Sequence, residues 1–400
     1  MTDAKWQPKA NFIDRRDLGI HMTFSPDKKR PLFNWMYYKE AFSSTLVRET
    51  IRELGMHGPI LDPFVGVGTV PLECKYNGIA SVGRDASPLA VLASTVKTRN
   101  YAKEELDRAA LECSKIIEKR NERPRMDWMF ELFRPDLVLP QRNLQFIKIA
   151  REHIEGIDNR RVREFLLLGL ISILPQCTYL IKDGGVLKIA KNKRAGDARA
   201  LFRKKIKRMC SDVSRYGVVY DEPDIQLGSA TSISLPDNSV GGIITSPPYI
   251  NNVDYTKVYG LELSLYDPKL NPKDVRKGMI RSFIRKGDAH IKVKSDYVMD
   301  VLVGSLGHNI PLLAYAYFTD MLQVLRECKR VMAPGTVCSM VVGNAVLERA
   351  NIECDAILAK MAEDEGMECE VWVGSFRHAD VPVKGKLPVR ESAVIMRKPL

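Results

Sequence analysis

The stretch Thr245-Ser246-Pro247-Pro248-Tyr249, directly after the apolar run Val240-Gly241-Gly242-Ile243-Ile244, places the tightest local constraint on this chain. An apolar run bounded by turn residues reads as a short buried strand. Two successive prolines must end it, because neither donates a ladder hydrogen bond. Proline also keeps the residue before it extended, so Ser246 and Pro247 stay stretched with their carbonyls pointing away from the sheet. Tyr249 follows as a flat, amphipathic ring at the carboxyl end of a strand, the edge where open α/β sheets bind ligands. A row of acceptors beside an aromatic platform suits a planar heterocycle that carries an exocyclic amine. A plain Pro-Pro turn after a core strand has the same local sequence, so the motif needs support elsewhere.

That support lies upstream. Pro59-Ile60-Leu61 reads as a first strand, and Asp62-Pro63-Phe64-Val65-Gly66-Val67-Gly68-Thr69 leads into a helix from about Val70 to Asn77, stopped by Gly78. Gly66 and Gly68 let the backbone approach a ligand and take positive φ. The start of the helix offers free N–H groups. A lone Gly-x-Gly loop would suit a dinucleotide equally well. Against that reading stand Thr69-Val70-Pro71, with no third glycine in phase, and the Asp62 carboxylate, which would repel a pyrophosphate. A second strand, Ala80 to Gly83, runs into Arg84-Asp85-Ala86. Asp85 therefore falls where a carboxylate can take both hydroxyls of a ribose. A helix N-cap aspartate is the plainer alternative.

On the Asp-Pro-Phe-Val-Gly-Val-Gly-Thr loop and the Ser-Pro-Pro-Tyr loop, the chain resembles the S-adenosylmethionine-dependent DNA amino-methyltransferases of the cytosine-N4/adenine-N6 type. The resemblance covers most of residues 24–398 and is weakest between about 100 and 220. It implies an α/β, Rossmann-like class I methyltransferase fold, with a seven-stranded, mostly parallel sheet and a helical insertion. It also implies S-adenosylmethionine as cofactor, gripped by Asp62, Pro63, Phe64, Gly66, Gly68 and Thr69 from the first loop. Asp85, Ala86, Ser229 and Ala230 complete the cofactor set, and Asp62 pairs with the methionine ammonium. Ser229 departs from the acidic residue usual at its position. A segment such as Asn34 to Ser43 closes over the methionine end.

The resemblance assigns catalysis to Ser246, Pro247, Pro248 and Tyr249. Serine at the first position is the commoner form for cytosine N4 and aspartate for adenine N6, so N4 of cytosine in duplex DNA comes first. Adenine N6 follows, then a base amine in RNA. A carbon-5 cytosine enzyme would need a Pro-Cys, which this sequence lacks. The alternative from another class is a non-catalytic binding module of the same fold, which would predict decay of Asp62, Gly66, Gly68 or the Pro-Pro-Tyr loop. A cognate restriction endonuclease is the protein partner implied. The sequence is silent on oligomeric state.

The alternation of strand and helix breaks over residues 101–215, where Glu104 to Lys119, Arg142 to His153 and Arg161 to Leu174 have helical spacing. The expected organisation is residues 1–100 for the N-terminal segment and cofactor loop, 101–220 for a basic helical insertion that recognises the target, and 221–400 for the catalytic half. The chain carries 61 Lys and Arg against 49 Asp and Glu, a net charge of +12 that points to a polyanionic partner. Most of this surplus lies in Lys182 to Arg215. There Leu201, Phe202 and Ile206 alternate with Arg203, Lys204, Lys205 and Lys207, so one helix side can dock while the other meets phosphate. A solvated charged face is the alternative. Gly184-Gly185 reads as a hinge, Asn251, Asn252 and Tyr255 as lining of a base pocket, and Lys273 to Lys294 as a second basic stretch.

The eight cysteines form no CxxC pair, which argues against zinc or a disulfide framework and for a reducing cytoplasm. No metal is expected. Met1 to Lys5 has no apolar signal segment. The longest apolar run, Phe165 to Leu174, is about half of what spans a bilayer, so no membrane partner is expected.

Overall fold

The computed structural model describes residues 8–38, 41–120, 122–183, 185–190, 192–251, 253–283, 296–347, 350–381 and 385–400. The expectations resting on Met1 to Lys5, Lys39 and Glu40, Gly184, Asn252 and the later half of Lys273 to Lys294 lie outside those residues.

The central sheet is built from β1 (Asn11–Asp14), β2 (Ile60–Asp62), β3 (Ser81–Asp85), β4 (Asp224–Leu227), β5 (Gly242–Thr245), β6 (Val337–Gly343), β7 (Glu368–Val381) and β8 (Gly385–Arg397). Their order across the sheet is β1-β7-β8-β6-β5-β2-β3-β4. Only β8 runs antiparallel to its neighbours; the other pairings are parallel. β2 to β8 make the expected sheet of the class I methyltransferase fold. The eighth strand is a correction to the expected seven. β1 pairs with β7 from Asn11↔Glu370 to Asp14↔Val373. All four of its residues are exposed, so it carries no apolar alternation to announce it.

Side chains two apart on a strand share a face, and the core sorts accordingly. Ile60, Ile244, Val341 and Ile395 pack under α1 (Ser44–Glu53) and α2 (Thr69–Tyr76). Leu61, Ile243, Met340 and Val394 point the other way, under α8 (Leu312–Val331) and α9 (Cys354–Asp364). The insertion supplies α4 (Lys103–Glu118), α5 (Gln141–Glu155), α6 (Arg160–Cys177) and α7 (Ala198–Tyr216). Pro175 falls inside the last turn of α6. Ile116, Phe165, Phe202 and Ile206 of the insertion join one apolar cluster with Val67, Leu72 and the Leu92 and Val96 of α3 (Pro88–Thr98). Among the described residues, no helix is long and apolar enough to cross a membrane.

α7 corrects one expected nucleic-acid contact. Lys205 turns inward and donates its Nζ to the carbonyl of Trp35. Burial pushes its ammonium down to about 8. Nearby, the Trp35 indole donates to Asp212 at 2.9 Å and Lys97 donates to the Phe33 carbonyl at 3.0 Å. These groups pin the 33–35 segment, while Arg203, Lys204 and Lys207 are exposed. Lys205→Ala is therefore expected to cost about 1–3 kcal/mol in urea unfolding, because the Trp35 carbonyl loses its donor. Lys204→Ala should stay within about 0.5 kcal/mol. Equal, small losses in both variants would remove the anchoring role.

Candidate active site

A cavity of about 470 Å³ opens at the carboxyl ends of β2, β3 and β5. The parallel register Ile60↔Gly242, Leu61↔Ile243 sets the two motif strands side by side. The loops that follow them therefore meet, although nearly two hundred residues separate them. Asp62, Pro63, Phe64, Gly66 and Thr69 line one part of the cavity, with Asp85, Ala86 and Ala230. Ser246, Pro247, Pro248 and Tyr249 line another, with Asn251 and Tyr255 beside them.

Two residues expected to hold the cofactor do not line the cavity. The Ser229 hydroxyl lies 2.9 Å from that of Thr231 and donates to the Gly278 carbonyl at 3.4 Å. Gly68 has φ 82° and caps α2. A Cβ there would stand 2.7 Å from Cβ of Ser94, so glycine serves the close approach of α2 to α3. Of the basic residues proposed on α7, none reaches the cavity.

Asp62 is 3% exposed. Its Oδ1 accepts from the Thr245 hydroxyl at 2.6 Å and from the Phe64 N–H at 3.1 Å. Burial pushes the carboxyl up to about 7 despite those two donors, and the nearby Asp85 adds to the shift. Asp85 accepts from the Ser87 N–H at 2.8 Å and the Gly66 N–H at 2.9 Å, and burial lifts it to about 6. Both carboxylates are thus desolvated, and among the described residues neither has an ion pair. That arrangement stabilises a ligand which brings an ammonium to one and hydroxyl donors to the other.

Tyr249 marks the opposite part. Its hydroxyl donates to Glu391 at 3.0 Å, and burial first, then the Glu391 charge, holds the phenol well above its usual range. It therefore stays protonated as a donor. Ser375 also donates to Glu391, at 3.4 Å. The Arg377 guanidinium lies 5.4 Å from the Tyr249 ring centroid. A third wall is aromatic: Tyr38 stacks on Tyr259 at 4.7 Å, with the Lys182 ammonium 3.5 Å from the Tyr259 ring.

Glu391 and Arg377 were missed in the sequence. The signal was present in β8. A strand that runs antiparallel to the rest begins at the edge where the others end. The charged residue at the head of the apolar run Ser392 to Met396 therefore had to lie at the ligand edge.

No protein-family model matches the sequence. The Type II methyltransferase M.AvaI of Nostoc sp. is 27% identical over 403 residues, covering 87% of this chain and 82% of that protein. The Type II methyltransferase M.BsoBI of Geobacillus stearothermophilus is 26% identical over 455 residues, covering 94% of this chain and 88% of that protein. Among solved structures, a SAM-dependent methyltransferase of Methanosarcina mazei aligns with 88% of this chain and 97% of its own. The identity is 10% and the TM-score 0.30.

Proposed function

We propose that this chain is an S-adenosylmethionine-dependent DNA methyltransferase that modifies the exocyclic amine of a base, with cytosine N4 the first candidate. One observation carries the reading. The Thr245 hydroxyl, one residue before the Ser-Pro-Pro-Tyr loop, is bonded to Asp62, so the carboxylate pair and the aromatic acceptor loop share one cavity. The two Type II methyltransferases that resemble the chain along most of its length support DNA as the substrate.

The residues present fit the cofactor. Asp62 is a buried carboxylate in want of a cation, Asp85 is a second acceptor at the end of the next strand, and Gly66 leaves the backbone open between them. When bound, S-adenosylmethionine supplies a methyl already activated on a sulfonium. The chain then has to align a nitrogen with it. The Ser246 and Pro247 carbonyls accept the two amine hydrogens, which favours a pyramidal nitrogen with its lone pair toward the methyl. Preorganised dipoles of this kind are worth about 2.7–4 kcal/mol each. Tyr249 stacks on the base, and Asn251 and Tyr255 bound its pocket. In a duplex the base must leave the stack, at a cost of a few kcal/mol. Arg203, Lys204 and Lys207 add sequence-independent attraction to phosphate. The enzyme acts in the cytoplasm, with a cognate restriction endonuclease as its counterpart.

Labelled S-adenosylmethionine, incubated separately with duplex DNA and with total RNA, tests this directly. Each product is digested to nucleosides and identified by mass. N4-methyldeoxycytidine is expected. N6-methyldeoxyadenosine would move the base assignment to the adenine reading, and label in RNA alone would overturn DNA as the substrate.

A further inference from the structure

β7 and β8 continue past the sheet that carries them. They pair with each other from Glu368↔Arg397 as far as Val381↔Gly385. Their outer neighbours stop much earlier: β6 ends its pairing at Gly343↔Glu391 and β1 at Asp14↔Val373. Beyond Ser375 and Glu391 the two strands stand as a ribbon with no further ladder partner among the described residues. Gly343 is the last residue of a parallel strand, so the ribbon rises from the same edge as the cavity. The register shifts between Val373 and Ser375, a bulge that re-aims the side chains which follow.

Arg377 is the first cation above that bulge. It lies at the cavity, its guanidinium 5.4 Å from the Tyr249 ring centroid, and it donates to the Asn344 carbonyl at 3.3 Å. On the other strand, Arg390 is paired with Asp355 and Glu353. Arg377 has no ion pair among the described residues, and it is exposed. Beside it, Phe376 is 57% exposed and His378 is exposed. A DNA major groove admits a two-stranded ribbon.

We propose that this ribbon is the element that holds duplex DNA around the target base, with Arg377 taking the phosphodiester of the extruded nucleotide. The inference rests on the DNA-methyltransferase reading of the cavity. A base stacked on Tyr249 leaves its own sugar and phosphate at the mouth, where the unpaired guanidinium already stands. Arginine suits that position because its planar fork meets two phosphate oxygens at once. The contact with the Asn344 carbonyl and the face of Tyr249 keeps the fork poised there before DNA arrives. Gly343 makes the approach possible, since a Cβ on it would stand 2.1 Å from the Arg377 guanidinium and 2.8 Å from the Tyr249 ring.

The test compares wild type, Arg377→Ala and Arg377→Lys in the full chain. Affinity for a duplex is measured across a potassium chloride series, and affinity for sinefungin, a cofactor analogue, is measured alongside. Arg377→Ala should bind duplex about tenfold more weakly. Its slope of log affinity against log salt should be shallower by about 0.9, the loss of one phosphate contact. Arg377→Lys keeps the charge and should restore the slope while recovering only part of the affinity. Sinefungin affinity should be unchanged in both variants, which also shows that they fold. Unchanged duplex affinity and slope in Arg377→Ala, with the wild type binding and methylating duplex, would overturn the inference alone. A wild type that neither binds nor methylates duplex would overturn the functional reading itself, and this inference with it.

Discussion

Tyr249→Ala is expected to lower kcat by about 10³–10⁴-fold while leaving the affinity for a cofactor analogue as in the wild type. Two physical terms add up to that. Stacking of a base on an aromatic ring is worth about 1–3 kcal/mol. A nitrogen displaced by about 1 Å from the line of attack loses about another hundredfold. The asymmetry between turnover and cofactor binding follows from the cavity, where Tyr249 and Glu391 lie away from the Asp62 and Asp85 carboxylates. Tyr249→Phe keeps the ring and removes the 3.0 Å bond to Glu391. It should cost about 0.5–1.5 kcal/mol, a factor of roughly two to ten. Single-turnover rates at saturating cofactor, with calorimetry for the analogue, separate the cases. Wild-type turnover in Tyr249→Ala would remove the stacking role.

Asp62→Asn is expected to weaken binding of any ligand that brings an ammonium to the cavity by about 2–5 kcal/mol, or roughly thirty- to several-thousandfold in Kd. Asparagine keeps the shape and can still accept from the Phe64 N–H, so the loss reports the charge. The pH dependence gives a second readout. Without ligand the Asp62 carboxyl is pushed up to about 7 by burial. An ammonium beside it favours the carboxylate and so lowers that value in the complex. Binding then releases a proton, and affinity should fall by up to about tenfold per pH unit as the pH drops below about 7. In Asp62→Asn this component should be absent. 5′-Methylthioadenosine, which has no ammonium, should bind both proteins alike. Equal calorimetric Kd values for sinefungin, with parallel pH profiles, would defeat the assignment of Asp62 to the ammonium.

Both loops of the site were legible in the sequence because their chemistry is local. Two prolines end a strand wherever it lies, and a Gly-x-Gly after a strand frees the backbone in any context. The same holds for the sheet interior: Ile60 and Leu61, or Ile243 and Ile244, must go to opposite faces because a strand has a period of two. Helical spacing likewise showed α4, α5 and α6 to within a few residues.

What the chain alone left undecided depends on partners distant in sequence. A run of lysines reads the same whether one of them meets water or a carbonyl. Lys205 meets the carbonyl of Trp35, 170 residues away. β1 forms because β7 offers a free edge, and nothing within Asn11–Asp14 records that edge. Glu391 and Arg377 reach Tyr249 only once β8 folds back antiparallel between β7 and β6. Local sequence determines which φ and ψ a segment can adopt and which face it buries. Which charge stands beside which ring depends on strand order and register, and these are settled only when the whole sheet closes its hydrogen bonds and its two apolar faces together.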